Sequence, residues 1–291
     1  MQRVALLGTG IMGAGMAANW LAKGFPLTVY NRTRSKSEPF VEQGAAVADT
    51  PREAAAAADV IFAMVGDDNS SRSVWLGEDG ALAGAKAEAV IVESSTLTPD
   101  WIRELAQTAS EHNVGFLDAP VTGSKAAAAQ GTLALFVGGD AATLEKARPA
   151  LEAISRQINH LGPIGAGATW KLINNMMGAV HMAALAEGLV MAEKAGLDME
   201  QVVNLIQNSG VHSGIVQLKL ARAAERRYDD TDFALRWMHK DARYALALAE
   251  QFGLTLNTVG GAEKIYQQAS DKGFGDLDFA AVVEAMRDSE G

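Results

Sequence analysis

The stretch Ala5–Met16, "ALLGTGIMGAGM", decides how the first half of the chain folds. It sets Gly8, Gly10 and Gly13 in G-x-G-x-x-G spacing, directly after an aliphatic run and at the opening of a helical pattern. The three glycines then serve distinct physical ends, namely a tight turn, approach of bare backbone to a pyrophosphate, and close helix-to-strand contact. The helix N-terminus that follows offers N–H groups and a partial positive charge to phosphate. A glycine-rich turn that only packs two elements would share the spacing, but the strand–turn–helix context favours dinucleotide binding.

Outward from that turn, short β-branched and aliphatic runs alternate with amphipathic ones: "RVALLG", "LTVY", "VIFAMV", "AVIVES", "VGFLDAP", "LALFVGG" and "INHLG". Strands spaced by helices imply crossover connections and a mostly parallel sheet covered on both faces. From about Gly165 the period changes to helical and no strand run follows. The expected fold class is therefore α/β, a Rossmann-type doubly wound sheet over 1–163 and an all-helical domain over 164–291. The long helix that begins near Trp170 joins them. Residues 172–191 are about as long and apolar as a bilayer-spanning helix. Asn174, Asn175, His181 and Glu187 interrupt them, which favours a helix buried in protein.

The second strand ends at Tyr30, about eighteen residues past Gly13, where a ribose-selecting acid is expected. The chain has "NRTRSK" there instead. Asn31 removes the carboxylate that would repel a 2′-phosphate, Arg32 supplies a planar fork for phosphate oxygens, and Thr33 or Ser35 adds a hydroxyl. The cluster reads as a 2′-phosphate pocket and the cofactor as NADP(H). The alternative is a solvated helix start lined by Arg32, Arg34 and Lys36.

Composition narrows the function classes. The 291 residues are 48% hydrophobic and 21% charged, which argues against a disordered chain. A net charge of −10 makes non-specific nucleic-acid binding an unfavourable reading. There are no cysteines, which excludes thiolate chemistry and fits a reducing compartment. The N-terminus runs straight into a strand pattern, so a cytoplasmic protein with no membrane partner is expected. The five histidines show no ligand spacing, so no metal is expected. No serine pairs with histidine and acid in a hydrolase pattern.

Two segments can carry chemistry. In "GAGATWKLINN", Lys171 and Asn175 lie four apart on one helix face. A lysine beside a buried cleft can act as general acid or base once desolvation lowers its pKa, although most lysines extend from a helix to water. In "DAPVTGSK", Thr122, Gly123 and Ser124 follow a strand. They form either an anion nest or an ordinary turn.

At this point the motifs carry a resemblance. "GTGIMGAGMAANW", "DAPVTGSK", "GAGATWKLINN" and "KDARYALALA" resemble, in the same order, the β-hydroxyacid dehydrogenases, the superfamily of 3-hydroxyisobutyrate and 6-phosphogluconate dehydrogenases. Within it, "NRT", "GSK" and "GDLDFAAVVEA" are most similar to glyoxylate/succinic semialdehyde reductases. The resemblance implies that Lys171 donates a proton to the substrate carbonyl oxygen and Asn175 orients the substrate. It implies that Thr122, Gly123 and Ser124 grip the substrate carboxylate, and that Phe233 and Asp241 shape the site. The cofactor set it implies is Gly8, Gly10, Ile11, Met12, Gly13, Asn31, Arg32, Thr33, Met64, Val65, Thr96 and Lys240, with Ser95 beside Thr96. Thr122 stands where the family usually has serine, which keeps the hydroxyl and narrows the pocket by a methyl group.

The activity so implied is NADPH-dependent reduction of a small carboxylate-bearing aldehyde or keto acid. The rival substrates are 3-hydroxyisobutyrate and tartronate semialdehyde. A non-catalytic dinucleotide-binding protein and an imine reductase are further alternatives, though imine reductases usually replace the lysine with Asp or Tyr. The long helix is apolar nearly all round, so a homodimer or homotetramer is expected.

Overall fold

The computed structural model describes residues 1–287. The chain divides into two compact units, Met1–Lys171 and a second from Leu172 onward. The first contains β1 (Val4–Leu7), α1 (Ile11–Ala22), β2 (Leu27–Tyr30), β3 (Ala46–Val47), α2 (Pro51–Ala55), β4 (Val60–Ala63), α3 (Asp68–Trp75) and α4 (Ala81–Gly84). It continues through β5 (Val90–Glu93), α5 (Pro99–Glu111), β6 (Gly115–Asp118), β7 (Val121–Thr122), α6 (Lys125–Ala129), β8 (Leu133–Gly139), α7 (Ala141–Glu152) and β9 (Ser155–Gly162). α8 (Ala166–Lys194) starts in this unit and runs into the next.

The strands form one sheet in the order β3-β2-β1-β4-β5-β6-β8-β7, with β9 paired to β8. β1, β4 and β5 are buried at every position, which is why they read as unbroken aliphatic runs: helices cover both sheet faces. Alternation along β1 and β4 feeds two separate cores. Leu6 and Phe62 belong to one with Met16 and Trp20, while Leu7 and Ile61 belong to the other with Trp75 and Trp101. The parallel order ends beyond β6, where β8 runs antiparallel to it with Leu117 opposite Gly139. The two-residue strands β3 and β7 are too short to leave a periodic signal in the sequence.

Side-chain caps start most of these helices. Thr50, Asp67, Thr98, Ser124 and Asp140 each accept a backbone N–H at the first turn of α2, α3, α5, α6 and α7. α1 begins instead on Gly10 with no side-chain cap.

The second unit packs the rest of α8 with α9 (Met199–Gln207), α10 (Gly214–Ala224), α11 (Leu235–Gln251), α12 (Asn257–Asp271) and a 3₁₀ stretch at Phe279–Ala285. Ala179, Met182, Ala186 and Leu189 of α8 lie in its core with Leu235, Tyr266 and Val282. α8 is long and apolar enough to cross a membrane, yet 56% of that stretch is buried within the protein, as in a core helix. Buried ion pairs close the unit. Lys219 Nζ lies 2.7 Å from Asp278, and Arg287 binds Glu193 and Glu284.

Candidate active site

The glycine turn is as tight as its spacing suggests. Gly8 has φ +106°, and a Cβ there would fall 2.3 Å from the Met64 carbonyl oxygen; at Gly13 it would fall 2.0 Å from the Gly8 carbonyl oxygen. Neither position tolerates a side chain without moving backbone. Gly10, by contrast, faces open space, and Ile11 beside it is exposed although apolar, with Met12 half-buried. Bare backbone and an uncapped helix start lie together at the carboxyl end of β1, which fits the pyrophosphate of a dinucleotide.

At the end of β2, Asn31 knits two turns. Its Oδ1 accepts the Thr9 N–H at 3.2 Å, and its Nδ2 donates to the Thr33 carbonyl at 3.0 Å. An aspartate would accept the first bond but could not donate the second. The basic cluster then divides. Arg34 pairs with Asp49 and approaches Glu38 at 3.9 Å, so its charge is committed within the protein. Arg32 is exposed and, among the described residues, pairs with no carboxylate. Thr33 is exposed beside it.

Met64 and Val65 leave β4 half-buried against Gly8. The Val65 N–H donates to Ser95 Oγ at 2.8 Å, and Thr96 follows, half-buried. Beneath them lies Glu93, fully buried at the end of β5. Its Oε1 accepts the Ser95 N–H at 2.9 Å, and its Oε2 accepts Ser71 Oγ at 2.6 Å and Trp75 Nε1 at 2.8 Å. Burial pushes this carboxyl above the usual range, opposed by those bonds.

Thr122 ends β7, half-buried, and Gly123 turns the chain at φ +137°. Ser124 caps α6 through its Oγ, which accepts the Ala127 N–H at 3.3 Å, leaving its hydroxyl hydrogen to donate elsewhere. Just upstream, Asp118 is wholly buried at the end of β6. Its two oxygens accept the Gly165 and Ala168 N–H groups at 2.8 Å each, so this carboxylate sets where α8 begins. Cβ atoms at Gly138 and Gly167 would fall within 2.9 Å of its oxygens, which explains the glycines in "VGG" and "GAG". Burial raises the Asp118 pKa to about 6, with the backbone bonds acting in the other direction.

Lys171 stands on the second turn of α8 at 9% exposure, and Asn175 one turn on at 7%. Within the second unit, Asn175 Nδ2 donates to Asp241 Oδ2 at 2.6 Å, and Lys240 Nζ lies 3.0 Å from Asp241 Oδ1. Asp241 is fully buried, so this is no solvated helix pair. The Lys240 ammonium also sits 4.7 Å above the Tyr244 ring. Phe233 is half-buried, edge-on to Phe279 at 6.0 Å, as the backing of that unit's core.

Comparison with known proteins identifies the family. Residues 3–162 match the model for the NAD binding domain of 6-phosphogluconate dehydrogenase. Residues 165–286 match that for the NAD-binding region of NADP-dependent 3-hydroxyisobutyrate dehydrogenase. The chain belongs to the β-hydroxyacid dehydrogenase superfamily. Its relatives include an uncharacterised oxidoreductase of Shewanella frigidimarina, 38% identical over 92% of both chains. Another is glyoxylate/succinic semialdehyde reductase 2 of Arabidopsis thaliana, 35% identical over 98% of this chain and 79% of the relative. The 3-hydroxyisobutyrate dehydrogenase of Mycobacterium tuberculosis, solved with L-serine, superposes with a TM-score of 0.88 at 33% identity, covering 99% of this chain and all of that one. This dehydrogenase is thus an oxidoreductase that uses a nicotinamide dinucleotide.

Glu93 and Asp118 escaped the sequence reading. The available signal was an acid closing each of two aliphatic strands, "VIVE" and "GFLD". The raised Asp118 pKa means that the folded protein holds this proton more tightly than the unfolded chain. The stability owed to Asp118 is therefore full below about pH 4 and is lost as pH rises through about 6. Chemical denaturation of the wild type and Asp118→Asn from pH 4 to 7 should show the wild type's advantage shrinking as pH rises. An advantage that grows would mean that the bonds to the helix start outweigh burial.

Proposed function

We propose that this dehydrogenase reduces small aldehyde or keto acids with NADPH, glyoxylate and succinic semialdehyde being the first substrates to test. The observation that carries the reading is a buried lysine, Lys171, on the helix face that also bears Asn175, whose amide is held by the buried Asp241. The bound nicotinamide supplies hydride. The chain's own residues then divide the remaining work. Thr122, Gly123 and Ser124 bind the substrate carboxylate through hydroxyl and backbone N–H groups. Asn175 orients the carbonyl, with Phe233 and Asp241 shaping its surroundings. Lys171 donates a proton to the carbonyl oxygen as negative charge gathers there. Lys240, Met64, Val65 and Thr96 line the cofactor, and Gly8, Gly10, Ile11, Met12 and Gly13 carry its pyrophosphate.

For NADP(H) the support is electrostatic. Asn31 is neutral, and Arg34 is taken by Asp49, so Arg32 is the fork left in this cluster for a 2′-phosphate, with Asn31 and Thr33 beside it. The resemblance to the Arabidopsis reductase favours glyoxylate and succinic semialdehyde. The resemblance to the mycobacterial enzyme keeps 3-hydroxyisobutyrate, and with it tartronate semialdehyde, as the second reading. A non-catalytic dinucleotide-binding role gives no reason for Lys171 and Asn175 together. We also propose a homodimer or homotetramer. Met177 and Met191 on α8, Leu205 on α9 and Leu218 on α10 leave between 43% and 70% of their surface exposed, an apolar area that a second copy would cover.

Arg32→Ala should weaken NADPH binding by on the order of 1.5–3 kcal/mol, as for a lost bond to a charged group, and leave NADH nearly unchanged; titration with both cofactors checks this, and equal weakening contradicts it. Lys171→Ala should lower turnover of the best carbonyl substrate by roughly 10²–10⁴-fold with cofactor binding intact. Near-normal turnover would remove the lysine from the mechanism. Light scattering at micromolar concentration should give a particle of two or four chains, and a monomer would contradict the assembly.

A further inference from the structure

The buried carboxylate of Glu93 has no part in the chemistry just described, yet it ties together three elements beneath the cofactor loops. Its Oε1 accepts the Ser95 N–H at 2.9 Å, and Ser95 Oγ in turn accepts the Val65 N–H at 2.8 Å. Its Oε2 accepts Trp75 Nε1 at 2.8 Å and Ser71 Oγ at 2.6 Å, both from α3. Ser71 Oγ accepts Trp101 Nε1 of α5 at 2.9 Å. One oxygen therefore holds the segments after β4 and β5, and the other holds the helices behind them. Val65 Cγ1 also lies 3.3 Å from where a Gly8 Cβ would sit, so the Val65 segment abuts the glycine turn directly.

A hydrophobic residue at 93 would leave the buried donors of Ser95, Ser71 and Trp75 unpaired. A glutamine fits the space but not the bonding. Two donors converge on Oε2, so the amide carbonyl turns that way and its NH₂ group opposes the Ser95 N–H. The bond lost is the one that leads to Val65. We infer that Glu93 is a positioning residue for the nicotinamide dinucleotide, fixing the Val65 and Ser95 segments at the height the cofactor requires. The inference rests on the reading of Val65 and Thr96 as cofactor-lining. Because Trp75 and Trp101 belong to the same bonded set, their emission should also change when the cofactor binds.

The test is cofactor titration by calorimetry, with tryptophan emission followed in parallel, on the wild type, Glu93→Gln, Ser95→Ala and Trp75→Phe, each below its melting temperature. Glu93→Gln and Ser95→Ala should each weaken NADPH and NADH alike by about fivefold, the worth of one net hydrogen bond. That loss differs from the NADPH-selective loss expected at Arg32. Trp75→Phe cuts only a bond on the helix side, so it should melt lower and bind both cofactors as the wild type does. Glu93→Gln that melts lower but keeps wild-type affinity would reduce Glu93 to a structural group and overturn the inference. If Glu93→Gln fails to fold, wild-type affinity in Ser95→Ala overturns it equally. A wild type that binds NADPH but reduces no small carbonyl would sink the proposed function, while the affinities still decide the role of Glu93.

Discussion

The turn from Gly8 to Gly13 is the constraint on which the site depends, because two of its glycines occupy space that a single methyl group would close. A Cβ at either would strike a carbonyl oxygen, that of Met64 or that of Gly8 itself. The consequence is that β1, α1 and the segment after β4 approach more closely than side chains would permit. The carboxyl edge of the sheet then presents backbone rather than bulk. A site for an elongated dianion needs that surface, since N–H groups and a helix start can reach phosphate only where nothing stands in front of them.

A second arrangement repeats on this edge: the aliphatic strands β5 and β6 each end in a buried acid that organises what comes next. Glu93 closes β5 and holds the loop beyond it, while Asp118 closes β6 and captures the first N–H groups of α8. The carboxylates are buried at a cost that their hydrogen bonds offset only in part, which the upward pKa displacements record. Lys171 follows five residues after the start of α8, so the position of its ammonium group depends on Asp118. In the second unit the same logic recurs at Asp241, which fixes Asn175 from below and lies against Lys240. Buried acids here orient the segments and side chains around them.

Much of this is legible in the amino-acid sequence. The glycine spacing, the aliphatic strands and the change of period near Gly165 are local signals, and local signals survive in sequence. Lys171 and Asn175 could be paired because one helical turn separates them. What could not be read were the long-range partners. Nothing near Arg34 in the sequence announces that Asp49 will neutralise it and leave Arg32 as the exposed fork of the cluster. Asp241 enters the site through the resemblance alone, and nothing near Asn175 pairs the two across 66 positions. The antiparallel placement of β8 was hidden for the same reason, since "LALFVGG" reads as a buried strand in either direction. Glu93 reads as an ordinary strand end because the donors that converge on it come from α3 and from its own loop.

The reaction proposed for this protein moves hydride from a nicotinamide to the carbonyl carbon of a small acid. The most direct measurement supplies glyoxylate with NADPH deuterated at one or the other C4 position and follows the label into product by mass spectrometry. Stereospecific hydride transfer should leave one deuterium on the carbinol carbon of the hydroxy acid from one of the two labelled cofactors and none from the other. Product without label from both, or cofactor bound with no reduced acid formed, would contradict it.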